Sequence, residues 1–264
     1  NVVAQGLTTY QKAYLVFMLP HSVITISIMT ALLPRMSRAA AAKDDHKVAA
    51  YVSDGMRMVS VLIIPAAVCL GVAGPMIATV IFGFGAGSGI AATYAGLVVV
   101  AFALGLLPFS LFYVLLRGWY SLEDTRTPFF LTIVYNILMV GFSLPLFYAA
   151  PVESKVLALA LGYSMAYWVT LVIAWAVLRR RLPIPSRRIL SVVLRLLVAG
   201  VIAALAGLAV NLVFTTFISS RRGEVVALGF VGLPGWALVA AILCSVGAVM
   251  IYVGLAWLFR VPDI

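Results

Sequence analysis

Charge is what this sequence lacks. No Asp, Glu, Lys or Arg occurs from Ala13 to Pro34, Met58 to Leu116, Thr127 to Val152, Val156 to Leu178, Leu196 to Ser220, or Val225 to Phe259. Charged residues make up 10% of the 264-residue chain and hydrophobic residues 64%. Ordinary globular chains carry about 25% and about 45–50%. An ionised side chain at a bilayer centre costs about 2.5–3.5 kcal/mol, so runs like these belong to a chain threaded through lipid. Cysteine is equally scarce. Cys69 and Cys244 both lie inside apolar runs, which excludes a disulfide scaffold and leaves two small buried hydrophobes. Histidine occurs twice, as His21 and His46. There is no HExxH and no GxSxG, and no carboxylate lies within any apolar run. Neither a paired-acid centre nor a membrane-embedded metal site can be built from such a set, so no enzyme, catalytic residue or metal ligand is expected.

What charge there is has a pattern. The formal net charge is +10, but the basic residues flank apolar spans and form no single face. That distribution excludes a nucleic-acid partner and reads as topology-setting loops that touch membrane lipids. A hydrocarbon core of about 30 Å needs about 20 apolar residues per helix. The runs divide into seven predicted helices, near 10–33, 58–82, 91–116, 128–150, 156–178, 190–215 and 236–259. Gly83, Gly85, Gly87 and Gly89 split the longest run and predict a turn there; their alternate spacing fits no phosphate-binding loop. Backbone groups in lipid must be satisfied within the segment, so the fold class is all-α, a polytopic transmembrane bundle. Prolines 20, 65, 108 and 145 fall inside spans, where they shape a bundle or permit bending.

Alternate loops share a side. The loops holding Arg35–Arg57, Arg117–Arg126, Arg179–Arg195 and Arg260 carry most of the basic residues, and the positive-inside rule makes them cytoplasmic. The chain then starts outside and ends inside a plasma membrane. It opens at Asn1, without Met or signal peptide, directly into a helix, as expected of a piece of a longer protein.

The first helix departs from the apolar rule. At 100° per residue, Gln11, Tyr14, Met18, His21, Ser22, Thr25 and Met29 fall within about 60° of one line. Two readings of this polar stripe are open. It lines a wet cavity, with Gln11, Tyr14, His21, Ser22 and Thr25 as candidates, or its hydroxyls bond neighbouring helices as packing glue. The last two helices carry many small residues, such as Ala199, Gly200, Ala203, Gly207 and Ala248. These permit close helix approach or leave a shallow groove for a lipid tail.

The most specific segment follows the third helix: Arg117-Gly118-Trp119-Tyr120-Ser121-Leu122-Glu123-Asp124-Thr125-Arg126-Thr127-Pro128. On physical grounds Arg117 ends a helix where a cation suits the dipole, Asp124 or Thr125 caps the next, and Pro128 fits its first turn. Direct substrate contact is the other reading. The segment resembles the R-x-x-Y-x-x-x-D-T-x-T-P junction of the MurJ/MviN family of lipid II flippases. Leu19-Pro20-His21-Ser22 with Thr30-Ala31-Leu32-Leu33-Pro34-Arg35-Met36-Ser37 is similar to that family's L-P-x-x…T-x-L-P-x-x-S helix, in an actinobacterial form.

The resemblance covers nearly the whole chain. It implies helices eight to fourteen of a fourteen-helix, MATE-like (MOP superfamily) fold. Residues 1–182 would form the C-terminal lobe and residues 183–264 two accessory helices. It implies alternating access for lipid II, the undecaprenyl-linked disaccharide-pentapeptide, against a missing N-terminal lobe. No cofactor is implied, only an ion or potential gradient, with cell-wall synthesis proteins as further partners. Another exporter of the superfamily, for drugs or oligosaccharide-lipids, and a non-transporting membrane scaffold are the alternatives. The chain also departs from the family. Tyr14, Leu15 and Met18 stand where many members carry an Asp-Arg pair and a Glu, so a pyrophosphate contact does not transfer. Lys12 and His21 are the nearby substitutes, although Lys12 lies off the stripe and can snorkel. Asn136 and Ser143 come without an acid, so no sodium site transfers either.

Overall fold

A computed structural model describes residues 2–83, 90–219, 227–228 and 233–258. The first span is two helices in line, α1 (Val2–Pro20) and α2 (Ile26–Ala41), joined by a π-helical turn at His21–Thr25. Then follow α3 (Asp45–Phe82), α4 (Ile90–Ser121), α5 (Arg126–Ala149), α6 (Lys155–Arg181), α7 (Ser186–Ser219) and α8 (Gly235–Leu258). Extended pairing among the described residues is limited to a short antiparallel ladder, Ala227–Leu228 with Leu233–Pro234. Six described helical segments are long and apolar enough to cross a membrane, and a shorter apolar stretch, Ile242–Trp257, lies in α8. The all-α bundle expected from the charge-free runs is therefore present. Residues 84–89 of the glycine-rich turn lie outside the described residues, but α3 stops at Phe82 and α4 starts at Ile90, where the sequence places the break.

The helices run further than hydropathy predicts. Residues 35–57 read as a cytoplasmic loop, yet α2 continues to Ala41 and α3 begins at Asp45. His46 sits in the first turn of α3 and not in a loop. Hydropathy sees only the part of a helix that touches lipid. Alanine and alternating charges hold a helix equally well in water. At 1.5 Å per residue α3 spans about 57 Å, nearly twice a hydrocarbon core, so its charged start projects beyond the bilayer.

The centre of the bundle is α4, which packs on α3, α6 and α1. Small residues let backbones touch. A Cβ on Gly96 would lie 2.2 Å from the Pro75 Cα, which fixes the α3–α4 crossing. Between α4 and α6, Ser164 Oγ donates to the Ala101 carbonyl at 2.8 Å and Trp168 Nε1 to that of Leu104 at 3.0 Å. Helix α5 packs mainly on α6, through Ser143 against Gly162. Helices α7 and α8 pack chiefly on each other and on α3, where Tyr252 Oη donates to the Val61 carbonyl at 3.2 Å.

Candidate functional site

The polar stripe of the first span does not stay on one face. His21 and Thr25 are buried, at 2% and 0% exposure, while Gln11 and Ser22 are exposed and Tyr14 is half-buried. The cause is the π turn. In an α-helix a step of four residues overshoots one revolution by about 40°. Repeated steps of four would carry Phe17, His21, Thr25 and Met29 off a common line. The wider i→i+5 turn after Pro20 absorbs the overshoot, and all four are buried. Pro20 sits at this junction without a backbone N–H to give to the ladder.

The buried line has specific neighbours on α4. His21 Nδ1 lies 3.0 Å from Ser110 Oγ, a hydrogen bond whose donor depends on the imidazole tautomer. The His21 ring centroid is 4.3 Å from that of Phe109 and 5.2 Å, edge to face, from that of Tyr113. Tyr14 belongs to an aromatic cluster with Phe17, Phe102 and Tyr163, at centroid distances of 5.8, 5.8 and 6.0 Å. Thr25 Oγ1 is buried with no hydrogen-bond partner among the described residues. These are contacts of His21 with α4, and sequence reasoning missed the partners. Ser110 and Tyr113 sit just beyond Pro108 on α4, ahead of the Arg117–Pro128 segment.

The opposite face of the first span carries Gln11, Ser22, Ser27, Thr30 and Ser37, all exposed, interleaved with exposed Leu15, Leu19 and Val23. Thr30 Oγ1 donates back to the Ile26 carbonyl at 2.8 Å. The face is polar and apolar in turn, and no described helix packs over these residues.

The two tight junctions on one side of the bundle are built alike. At the end of α4, Glu123 takes a left-handed φ of 59°. The Asp124 N–H bonds the Trp119 carbonyl and the Glu123 N–H that of Tyr120. This is the paired C-terminal closure usually made with glycine. At the end of α2, Lys43 takes φ 55°, with Asp44 N–H to Ala39 and Lys43 N–H to Ala40. In both, an aspartate follows at once and caps the next helix. Asp124 Oδ1 accepts from the backbone N–H of Thr127 (3.0 Å) and Arg126 (2.9 Å), and Oδ2 accepts from the Thr127 hydroxyl (2.7 Å). Asp44 accepts from the Lys47 N–H at 3.0 Å and pairs with its ammonium. The bonds from Thr127 hold the Asp124 carboxyl below the ordinary carboxylate range, as those from Lys47 do for Asp44.

Of the two capping candidates, Asp124 makes the cap and the Thr125 side chain does not. Pro128 is buried in the first turn of α5 as expected. Arg117 differs from expectation. Helix α4 runs on to Ser121, so Arg117 lies a turn inside the helix. Its guanidinium hydrogen-bonds the Tyr113 hydroxyl and lies 4.5 Å from the Tyr113 ring centroid and 5.8 Å from that of Tyr120. It therefore braces two rings of its own helix, one of which also contacts His21.

Comparison with known proteins agrees with this architecture. Residues 2–228 match the family model described as lipid II flippase MurJ. A probable lipid II flippase MurJ of Borreliella burgdorferi is 26% identical over 72% of this chain and 37% of its own length. The lipid II flippase MurJ of Burkholderia cenocepacia is 26% identical over 46% of this chain and 23% of its own. A solved structure titled lipid II flippase MurJ, inward closed conformation, superposes with a TM-score of 0.69 at 16% identity, over 96% of this chain and 47% of that one. The chain spans about a third of the length of the first curated relatives it matches. With the family model matched across most of its length, this chain belongs to the MurJ family of lipid II flippases.

Proposed function

We propose that the full-length protein to which this chain contributes carries lipid II from the inner to the outer leaflet by alternating access. In this reading the uncovered face of α1 and α2 borders the translocation path. Gln11, Ser22, Ser27 and Thr30 face it directly, and Tyr14 stands at its edge. His21 and Thr25 support it from behind, against α4.

The observation that carries this reading is the asymmetry of the first span. One side is packed on α4, while the other presents polar side chains within a membrane-crossing segment and has no described helix over it. Polar groups at that depth face protein or a wet cavity, not lipid tails. Family membership supplies the substrate class. The remaining length seen in the relatives supplies the opposite wall.

Residues 1–182 then form the core lobe and residues 183–264 an accessory pair, a division supported by the packing of α7 and α8 on each other and on α3. The basic junctions lie in the cytoplasm, with the start of the chain outside and Ile264 inside, as the positive-inside rule requires. Translocation changes no covalent bond, so no catalytic residue is assigned.

The test is depletion of the full-length protein in its host, with complementation by Gln11→Leu combined with Ser22→Leu. Depletion is expected to accumulate undecaprenyl-linked precursor, and the double variant to restore flux poorly at wild-type protein levels. Full restoration overturns the path assignment. Depletion without precursor accumulation overturns the function and favours another exporter or a scaffold.

A further inference from the structure

The elbow between α6 and α7 is an arginine cluster that the transport reading does not use. From Ser154 to Gly223 the chain has no Asp or Glu, yet Arg179, Arg180, Arg181, Arg187 and Arg188 fall within ten residues. Near the α2–α3 junction, by contrast, two basic residues have acids beside them. Lys47 pairs with Asp44, and Arg57 with Asp54. Arg179, Arg180, Arg181 and Arg187 are exposed, and among the described residues none of them pairs with a carboxylate.

The elbow is held in place. Leu182 and Ile184 are buried in the core, and Ile189 and Val192 anchor the start of α7. The Leu182 N–H closes α6 on the Leu178 carbonyl at 2.9 Å, and the Ile184 N–H bonds the Leu182 carbonyl at 2.8 Å. Pro183 and Pro185 fix φ on either side of Ile184. The last turn of α6 and the first of α7 are thus tied to one short, stiff connector, and little backbone order remains to be imposed on binding.

Below the arginines lies an apolar track. Arg187, Leu190, Leu194, Val198, Val201 and Leu205 are all exposed. Spacings of three and four keep them within about 80° on one face of α7. A guanidinium therefore heads a stripe of aliphatic side chains on a membrane-crossing helix, with Arg179–Arg181 at the other end of the short connector.

We infer that this elbow holds an anionic phospholipid. Arg187 with Arg179–Arg181 takes the phosphate, and the acyl chain lies along Leu190–Leu205. Guanidinium groups bind phosphate oxygens in paired, charge-assisted hydrogen bonds, and clustered arginines beside a membrane helix attract anionic leaflets. The inference is independent of the transport reading.

Two measurements on the purified full-length protein test it. The first needs no variant. A photoactivatable phosphatidylglycerol is expected to crosslink within residues 187–205, and label confined to other helices overturns the site. The second counts retained lipid by native mass spectrometry, comparing phosphatidylglycerol with phosphatidylcholine. Arg179→Gln with Arg180→Gln and Arg187→Gln is expected to lower retained phosphatidylglycerol by about tenfold. Arg35→Gln with Arg38→Gln and Lys43→Gln, which removes the same charge elsewhere, is expected to change it less than about twofold. Equal loss in both variants, no loss in the first, equal retention of phosphatidylcholine by the wild type, or displacement by inorganic phosphate alone each overturns the proposal.

Discussion

His21 and Ser110 are 89 residues apart and bonded at 3.0 Å, Nδ1 to Oγ, inside the bundle. The bond lies where α1 passes into α2 through a π turn, opposite the α4 segment that follows Pro108. Each helix carries a proline within two residues of the contact, so each has a weakened backbone ladder there. A side-chain bond between two such places holds the first span in register against α4.

A double-mutant cycle on that pair should show coupling. His21→Ala leaves a cavity against Phe109 and strands the Ser110 hydroxyl, a combined loss of about 2–4 kcal/mol. Ser110→Ala alone should cost about 1 kcal/mol. The coupling should fall at about 0.5–1.5 kcal/mol, within the range for hydrogen bonds between membrane helices. Thermal denaturation of the full-length protein in detergent reads all three values. Strictly additive costs would mean that the two side chains are neighbours without a bond.

The Asp124 cap gives a stability that depends on pH. Its carboxyl is held below the ordinary range chiefly by the Thr127 N–H and hydroxyl. A depressed folded-state value means the contribution is complete above the unfolded pKa of about 3.9 and fades as pH falls through the folded value. At pH 7, Asp124→Ala should cost about 0.5–2 kcal/mol. The difference in melting temperature from wild type should stay constant from pH 8 to about 5 and narrow below about 4. A gap that persists unchanged at acid pH would assign the loss to something other than the charged cap.

Particular residues show how far the sequence could be read. The spans were legible because a bilayer punishes charge, and the cap was legible as far as Asp124 or Thr125, since both residue types suit that position. His21 was singled out as a polar residue in a greasy helix, but its direction was not legible. A uniform 100° period placed His21 and Thr25 with Gln11 and Ser22, and the π turn placed these two on the other side. Its partner Ser110 is fixed by packing, to which a single sequence gives no access. The starts of α3 and the end of α4 were missed for a different reason. Hydropathy reports where lipid is, while Arg117 and His46 lie in helical turns near or beyond its edge.

Lys43 and Glu123 also escaped notice, because a left-handed φ normally announces itself as glycine or asparagine. Both positions should therefore accept glycine with profit. The left-handed conformation costs an L-residue about 1–2 kcal/mol, and glycine returns about 0.5–1 kcal/mol of that as extra unfolded-state entropy. Lys43→Gly and Glu123→Gly should each raise stability by up to about 1 kcal/mol. Glu123→Val should lower it, since a β-branched side chain tolerates that backbone worst. A fall in melting temperature with both glycine variants would show that the side chains themselves, and not the backbone, hold these turns.

The packing of α5 gives the sharpest steric test, because that helix leans mainly on α6. A Cβ at Gly162 would lie 2.4 Å from Ser143 Oγ, 2.7 Å from its Cα and 2.9 Å from its N. The hydroxyl can rotate away, but the backbone atoms cannot, so even alanine must push the two helices apart. Gly162→Ala should cost about 1–3 kcal/mol, as overpacking does in tight cores, and Gly162→Val more. Gly141→Ala, on α5 two residues before Ser143, meets nothing within 4 Å and serves as the control, with no loss expected and a small gain in helix propensity. The discriminating measurement is the distance between spin labels on α5 and α6 in the full-length protein. Gly162→Ala should lengthen it and Gly141→Ala leave it unchanged; an unchanged distance in both would place the α5–α6 contact elsewhere than at Ser143.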